Sequence, residues 1–190
     1  MKQMNHHKHD IRMYNMILPP FLLFALPMMW PITLIGNFII DSLVLIVILL
    51  IVFKKVSGKQ YGKTIWKVWL LGFAADFIGI IPLVVLWLTL DPIWFSESAQ
   101  AQGVLYAISS GMYMAINHSD CFYNIWGFLY VFGGILIAAV AIFLFDYFIA
   151  LRKCGFTKRQ KLFASLAFAV FTAPYTLMLP VYQFLMAIGI

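Results

Sequence analysis

Between Met16 and Phe53 the chain runs through 38 residues that contain one ionisable side chain, Asp41. As a single α-helix rising about 1.5 Å per residue, this run would measure roughly 55 Å, far longer than a hydrocarbon core of about 30 Å. It is therefore expected to turn back on itself. Pro19, Pro20, Pro27 and Pro31 crowd its first half, and Leu34 to Asn37 supply Gly36 and Asn37, residues suited to a turn. The pattern predicts one span over 14–33 and a second over 38–53.

Three further apolar segments, 64–90, 125–151 and 161–188, are each long enough to cross a bilayer. The expected fold is all-α: a polytopic membrane helical bundle forming one integral membrane domain over 1–190, with five transmembrane helices. Four spans, with a long broken first helix, are the alternative. Composition agrees, because 64% of residues are hydrophobic and 11% charged, against about 45–50% and 25% in soluble domains. So large an apolar surplus requires lipid as solvent, and no stretch is polar enough for a separate soluble catalytic domain.

The thirteen Lys and Arg fall in three groups: Lys2, Lys8 and Arg12; Lys54, Lys55, Lys59, Lys63 and Lys67; and Arg152, Lys153, Lys158, Arg159 and Lys161. Short cytoplasmic loops concentrate such residues. In the five-span arrangement all three groups face the cytoplasm, the N-terminus is inside, the C-terminus is outside, and 91–124 is an external loop. The apolar segment after Arg12 reads as a retained anchor, because no small-residue cleavage pattern follows it. The ten basic residues from Lys54 to Lys161 are expected to contact anionic lipid headgroups. A cell-membrane location and a lipid partner follow from this pattern, and nucleic acid is not an expected partner.

Within the external loop, Gly103 to Ile116 is too short and too polar to cross. Val104, Leu105, Ile108, Met112, Ala115 and Ile116 recur at helical spacing, with Ser109, Ser110 and Asn117 largely opposite. This predicts an interfacial helix, or a lid resting on the external mouth of the bundle, with its serines turned away from the apolar face.

Several motifs resemble active sites and lack the spacing that chemistry needs. Ser57 to Thr64 reads SGKQYGKT, but Gly58 and Gly62 are separated by three residues, whereas a phosphate loop needs four before its Gly-Lys-Ser/Thr and joins a strand to a helix. His6, His7, His9 and Asp10 sit near the terminus, without the rigid framework that fixes metal ligands. His118, Ser119, Asp120 and Cys121 are sequence neighbours, which rarely converge as nucleophile, base and orienter. Asn117-His118-Ser119 is a glycosylation acceptor pattern. Cys121 and Cys154 are predicted on opposite faces, which excludes a disulfide between them. Neither an enzyme nor a cofactor is expected.

The intramembrane carboxylates carry the strongest signal. An acid inside hydrocarbon costs roughly 2.5–3.5 kcal/mol on insertion scales, so such residues face a bundle interior or a hydrated cavity. Asp41 is predicted one turn below the outer boundary, Asp76 near the midplane, and Asp146 two turns from the inner boundary. Asn37, four residues before Asp41, shares its face, while Gly72 and Gly79 flank Asp76 and invite a close helix neighbour. In the last span Pro174 and Pro180 free carbonyls near Val170 and Thr176, beside Thr172, Tyr175 and Tyr182. The expected function is a small transporter, channel or permease subunit that passes a cation, proton or small solute along Asp76, Asp41 and Asp146, with Asn37, Thr172 and Tyr175 assisting. An accessory or immunity-type protein that binds other membrane subunits through Gly- and Ala-rich faces, or assembles with its own copies, is the alternative, and a lipid-modifying enzyme a third.

Overall fold

The computed structural model describes residues 30–94, 103–118 and 120–179. Among the described residues, five α-helices occur in the order α1 (Trp30–Phe53), α2 (Gly58–Trp94), α3 (Gly103–Asn117), α4 (Ile125–Phe148) and α5 (Lys158–Phe171). Short 3-10 turns at Ala150–Lys153 and Tyr175–Met178 follow α4 and α5. Among the described residues, four segments are long and apolar enough to cross a membrane: Leu34–Phe53, Gly58–Leu90, Ile125–Lys153 and Lys158–Met178. These four apolar helices fit a membrane protein.

The predicted turn at Leu34 to Asn37 is not formed, because those residues lie inside α1, which runs unbroken from Trp30. The physical reason is local. Gly36 has open space around it, so its helical cost of about 1 kcal/mol is its only penalty. Asn37 meanwhile directs its side chain across to the next helix. Of the predicted first span, residues 14–29 lie outside the described residues.

The four spanning helices form a ring in which α1 packs on α2, α2 on α4, α4 on α5, and α5 back on α1. Both hairpin connections lie at one end, where the Gln60 side-chain amide donates to the Cys154 carbonyl at 2.7 Å. Lys54 and Gly155 take left-handed backbone conformations in these turns, with φ of 53° and 76°. Helix α5 opens on a reciprocal cap: Thr157 Oγ1 accepts from the Gln160 amide, and Gln160 Oε1 accepts from the Thr157 amide. Its regular turns end at Phe171, three residues before Pro174, whose missing N–H cannot extend them, and 180–188 of the predicted span lie outside the described residues.

Helix α1 shows how the bundle meets its surroundings. Ile35, Ile39, Leu43, Val47, Leu50 and Ile51 point outward, while Asp41, Leu45, Ile48 and Leu49 are buried. Large apolar side chains on the outside and acids on the inside are the arrangement that lipid, rather than water, favours.

Helix α3 wedges against α2 and α4 at the end away from the basic turns. Its serines do not turn outward as predicted, for Ser109 and Ser110 are buried, whereas Val104 and Leu105 are exposed. Each serine hydroxyl donates to a carbonyl one turn back, Tyr106 and Ala107 respectively, so neither needs water. That small-residue face lets the backbone of Gly111 come so near Gly127 that a Cβ on Gly127 would stand 2.8 Å from the Gly111 carbonyl oxygen. Asn124 closes the joint: it caps α4 by accepting from the Gly127 amide at 2.9 Å and donates to the Ala107 carbonyl at 2.9 Å.

Candidate functional site

Each of the four spanning helices contributes a polar side chain to the bundle interior. Asp41 comes from α1, Asp76 from α2, Asp146 from α4 and Ser165 from α5, and none is more than 3% exposed. Thr172, immediately after α5, adds a half-buried hydroxyl.

Asn37 bonds Asp76 across the α1–α2 interface, its amide donating to Oδ2 at 3.1 Å, rather than sharing a face only with Asp41. Asp41 lies opposite Gly72, where a Cβ would stand 3.6 Å from its Oδ2. The Thr172 side chain stands near the Asp41 carboxyl group, while its hydroxyl donates to the Phe168 carbonyl at 2.9 Å. Asp41 lies within Coulombic range of both Asp76 and Asp146, and so links the other two.

The order along the bundle differs from the predicted one. Asp76 lies one turn beyond Gly72 on α2, about 6 Å further from the basic end than the point Asp41 faces. Gly79 packs against Gly134 and Ala138 of the antiparallel α4, which brings Asp146 near the level of Lys67 to Leu71. The acids therefore run Asp76, Asp41, Asp146 towards the basic end. Asp41 sits deeper than predicted because α1 begins at Trp30, which makes residue 41 the middle of a helix rather than its first turn.

Hydrogen bonding leaves this interior incompletely satisfied. Around the acids, Asp76 Oδ1, Asp146 Oδ2 and Ser165 Oγ are buried without a partner, as is Trp87 Nε1 nearer α3. An unmet buried polar atom costs about 1–3 kcal/mol, more when charged, so the three around the acids create a strong demand for a proton, a cation or water.

Tyr175 does not join the acids. It is exposed and donates its hydroxyl to the Val170 carbonyl at 2.7 Å, satisfying the group that Pro174 leaves free. The Thr176 carbonyl accepts from the Leu179 amide, while Pro180 and Tyr182 lie outside the described residues. Ser165 was not singled out in the sequence, although its spacing of seven from Thr172 puts both on one helix face, a signal that could have found it.

The remaining motifs disperse. Asp120 Oδ1 accepts from the Phe122 amide within a turn, and Cys121 directs its thiol at the Met178 carbonyl. Burial, with the Asp120 charge adding to it, pushes the Cys121 thiol above its ordinary range. Asn117 donates to the Tyr113 carbonyl, and Ser119, like His6, His7, His9 and Asp10, lies outside the described residues. No cluster of three or more metal-ligating side chains occurs among the described residues.

At the basic end, Lys54, Lys55, Lys59, Lys63, Lys67, Arg152, Lys153, Lys158 and Arg159 are exposed. Lys161 is half-buried, with its ammonium 4.1 Å from the centroid of the Tyr147 ring. Comparison with protein-family models, with curated proteins and with solved structures finds no match to this chain.

Proposed function

We propose that this membrane protein is a small transporter, channel or permease subunit that passes a proton or small cation through the centre of its four-helix ring. One observation carries the reading: three buried carboxyl groups from three different helices meet in one interior, with oxygens of Asp76 and Asp146 left without partners. Holding three such acids in hydrocarbon costs roughly 8–10 kcal/mol on insertion scales, comparable with the whole net stability of many domains. A fold that needed only packing would be better served by leucine at these positions.

Asp76 serves as the entry group from the end bearing α3, Asp41 as the relay with Thr172 at its side, and Asp146 as the exit group towards the basic end. Asn37 holds the Asp76 carboxyl in place, and Ser165 offers a hydroxyl to a passing cation or water. The role is binding and passage, with no covalent chemistry. Tyr175 drops out of the pathway, committed as it is to the Val170 carbonyl. The basic end faces the cytoplasm in this scheme, in a cell membrane, following the preference of Lys and Arg for short cytoplasmic loops.

Purified protein in liposomes with an imposed proton or sodium gradient tests the proposal. Asp76→Asn and Asp41→Asn should each abolish the flux while leaving the unfolding temperature in detergent within a few degrees of the parent. Equal flux in the parent and both variants removes the reading.

The accessory alternative keeps Gly36 and Gly133, which have open space around them, but not the most closely packed glycines. Gly79, Gly111, Gly127 and Gly134 are all consumed by contacts inside the chain, where an added Cβ would come within 3 Å of a neighbour.

A further inference from the structure

The SGKQYGKT stretch fails as a nucleotide loop, yet it builds one wall of a cavity. Gln60, Lys63, Thr64 and Lys67 of α2 face Lys153 and Cys154 of the α4–α5 connection across a space of about 310 Å³. That volume lies at the lower end of small-ligand pockets, which run from about 300 to 1,000 Å³.

The walls are fixed. Gln60 ties the two elements together through its 2.7 Å bond to the Cys154 carbonyl, and the Thr64 hydroxyl donates to the Gln60 carbonyl at 2.8 Å while lying 3.1 Å from the Cys154 thiol. Thr64 is buried, so the floor is polar, and Lys63 and Lys67, four residues apart on one helix face, stand beside each other. Lys153 approaches from the opposite wall. Three lysines thus line one cavity.

Nothing in the surrounding sequence neutralises them. Between Asp41 and Asp76, and after Asp146, there is no Asp or Glu, and all three of these acids lie in the bundle interior. Clustered like charges repel, and an anion between them turns that repulsion into attraction. Lysine is a point-charge binder suited to phosphate, and a phosphate oxygen can meet several ammonium donors at once.

We propose that this cavity is a binding site for a phosphate-bearing group, held by Lys63, Lys67 and Lys153 over the Thr64 floor. A lipid phosphate headgroup and a soluble phosphate carry the same chemistry, and Cys154, half-buried in the lining, reports on both. The rate of Cys154 alkylation is measured on the full chain, with Cys121 replaced by Ser, in phosphatidylcholine nanodiscs, in nanodiscs doped with phosphatidic acid, and in plain nanodiscs with added inorganic phosphate.

Slower alkylation with phosphatidic acid alone assigns a lipid headgroup; slower alkylation with inorganic phosphate assigns a soluble ligand. An unchanged rate in both overturns the site. The Lys63→Gln/Lys153→Gln variant should weaken the protecting ligand at least about tenfold, whereas Lys54→Gln/Lys55→Gln, which removes the same charge from the same end, should change it less than about twofold. Equal weakening by the two double variants would mean diffuse surface charge and would also overturn the proposal.

Discussion

The two halves of the bundle differ in how far they satisfy their buried polar atoms. In the half that holds α3, the Tyr130 hydroxyl donates to the Leu83 carbonyl, Ser109 and Ser110 to their own helix, Asn124 to Ala107, and Cys121 to Met178. The backbones there touch through glycine, with Gly79 against Gly134 and Gly111 against Gly127. In the half nearer the basic turns, Leu45, Ile48, Leu49, Ile142 and Phe168 form a core of comparable quality, but Asp41, Asp146 and Ser165 are set into it and two of their polar atoms find no partner. One atom of the α3 half, Trp87 Nε1, is also buried without a partner, so the difference is one of degree: a neutral indole N–H there, a carboxyl oxygen and a hydroxyl here. The contrast separates a half tied mainly by satisfied hydrogen bonds from one whose unmet atoms include a carboxyl oxygen.

The largest effect expected from this contrast lies in the glycine contacts. Alanine at Gly111 would place its Cβ 2.2 Å from Asn124 Oδ1 and 2.6 Å from the Gly127 amide nitrogen, so that the backbones must part. Gly111→Ala should lower stability by about 3 kcal/mol in detergent unfolding. Gly133→Ala, one helix over and with open space around it, should instead stabilise by about 0.5–1 kcal/mol through helix propensity alone. Equal behaviour of the two variants would show that the tight joint is not there.

A smaller pair of effects has opposite signs. Tyr130→Phe removes a satisfied hydroxyl from the α3 half and should cost about 1 kcal/mol, whereas Ser165→Ala removes an unsatisfied one and should gain about 1 kcal/mol. Loss of stability in both variants would sink the distinction between the halves.

The gentlest probe is chemical. Cys154 is half-buried in the lysine-lined cavity, while Cys121 is 2% exposed with a thiol that burial keeps protonated. A membrane-impermeant maleimide should therefore label Cys154 many times faster than Cys121, and only from the side bearing the basic turns. Faster labelling of Cys121 would place the packed half in the wrong part of the chain.

Much of this architecture can be read without coordinates. Uniformly apolar segments leave only helices as spanning structures, and the basic turns at 54–57 and around Arg152 mark their ends. Asp76 is legible as an inward position because hydrocarbon rejects a carboxylate, and the glycines around it announce a close neighbour. The turn at Leu34 to Asn37 was misread because Gly and Asn are turn residues in water; in α1 one meets empty space and the other meets Asp76. Ser109 and Ser110 were placed outward by polarity, yet a serine in a helix can satisfy itself on the preceding turn and be buried at small cost.

The sequence by itself determined the solvent, the number of candidate crossings from residue 34 onward, and the end at which the positive charge collects, because these depend on the summed hydropathy and order of residues. Only the tertiary structure decided that Asp76, Asp41 and Asp146 descend in that order through one interior, and that Lys63, Lys67 and Lys153 close on one cavity. Helices apolar on every side carry no stripe to say which face turns inward, so register and rotation come from backbone contacts such as Gly79 on Gly134, and those exist only once the helices have met.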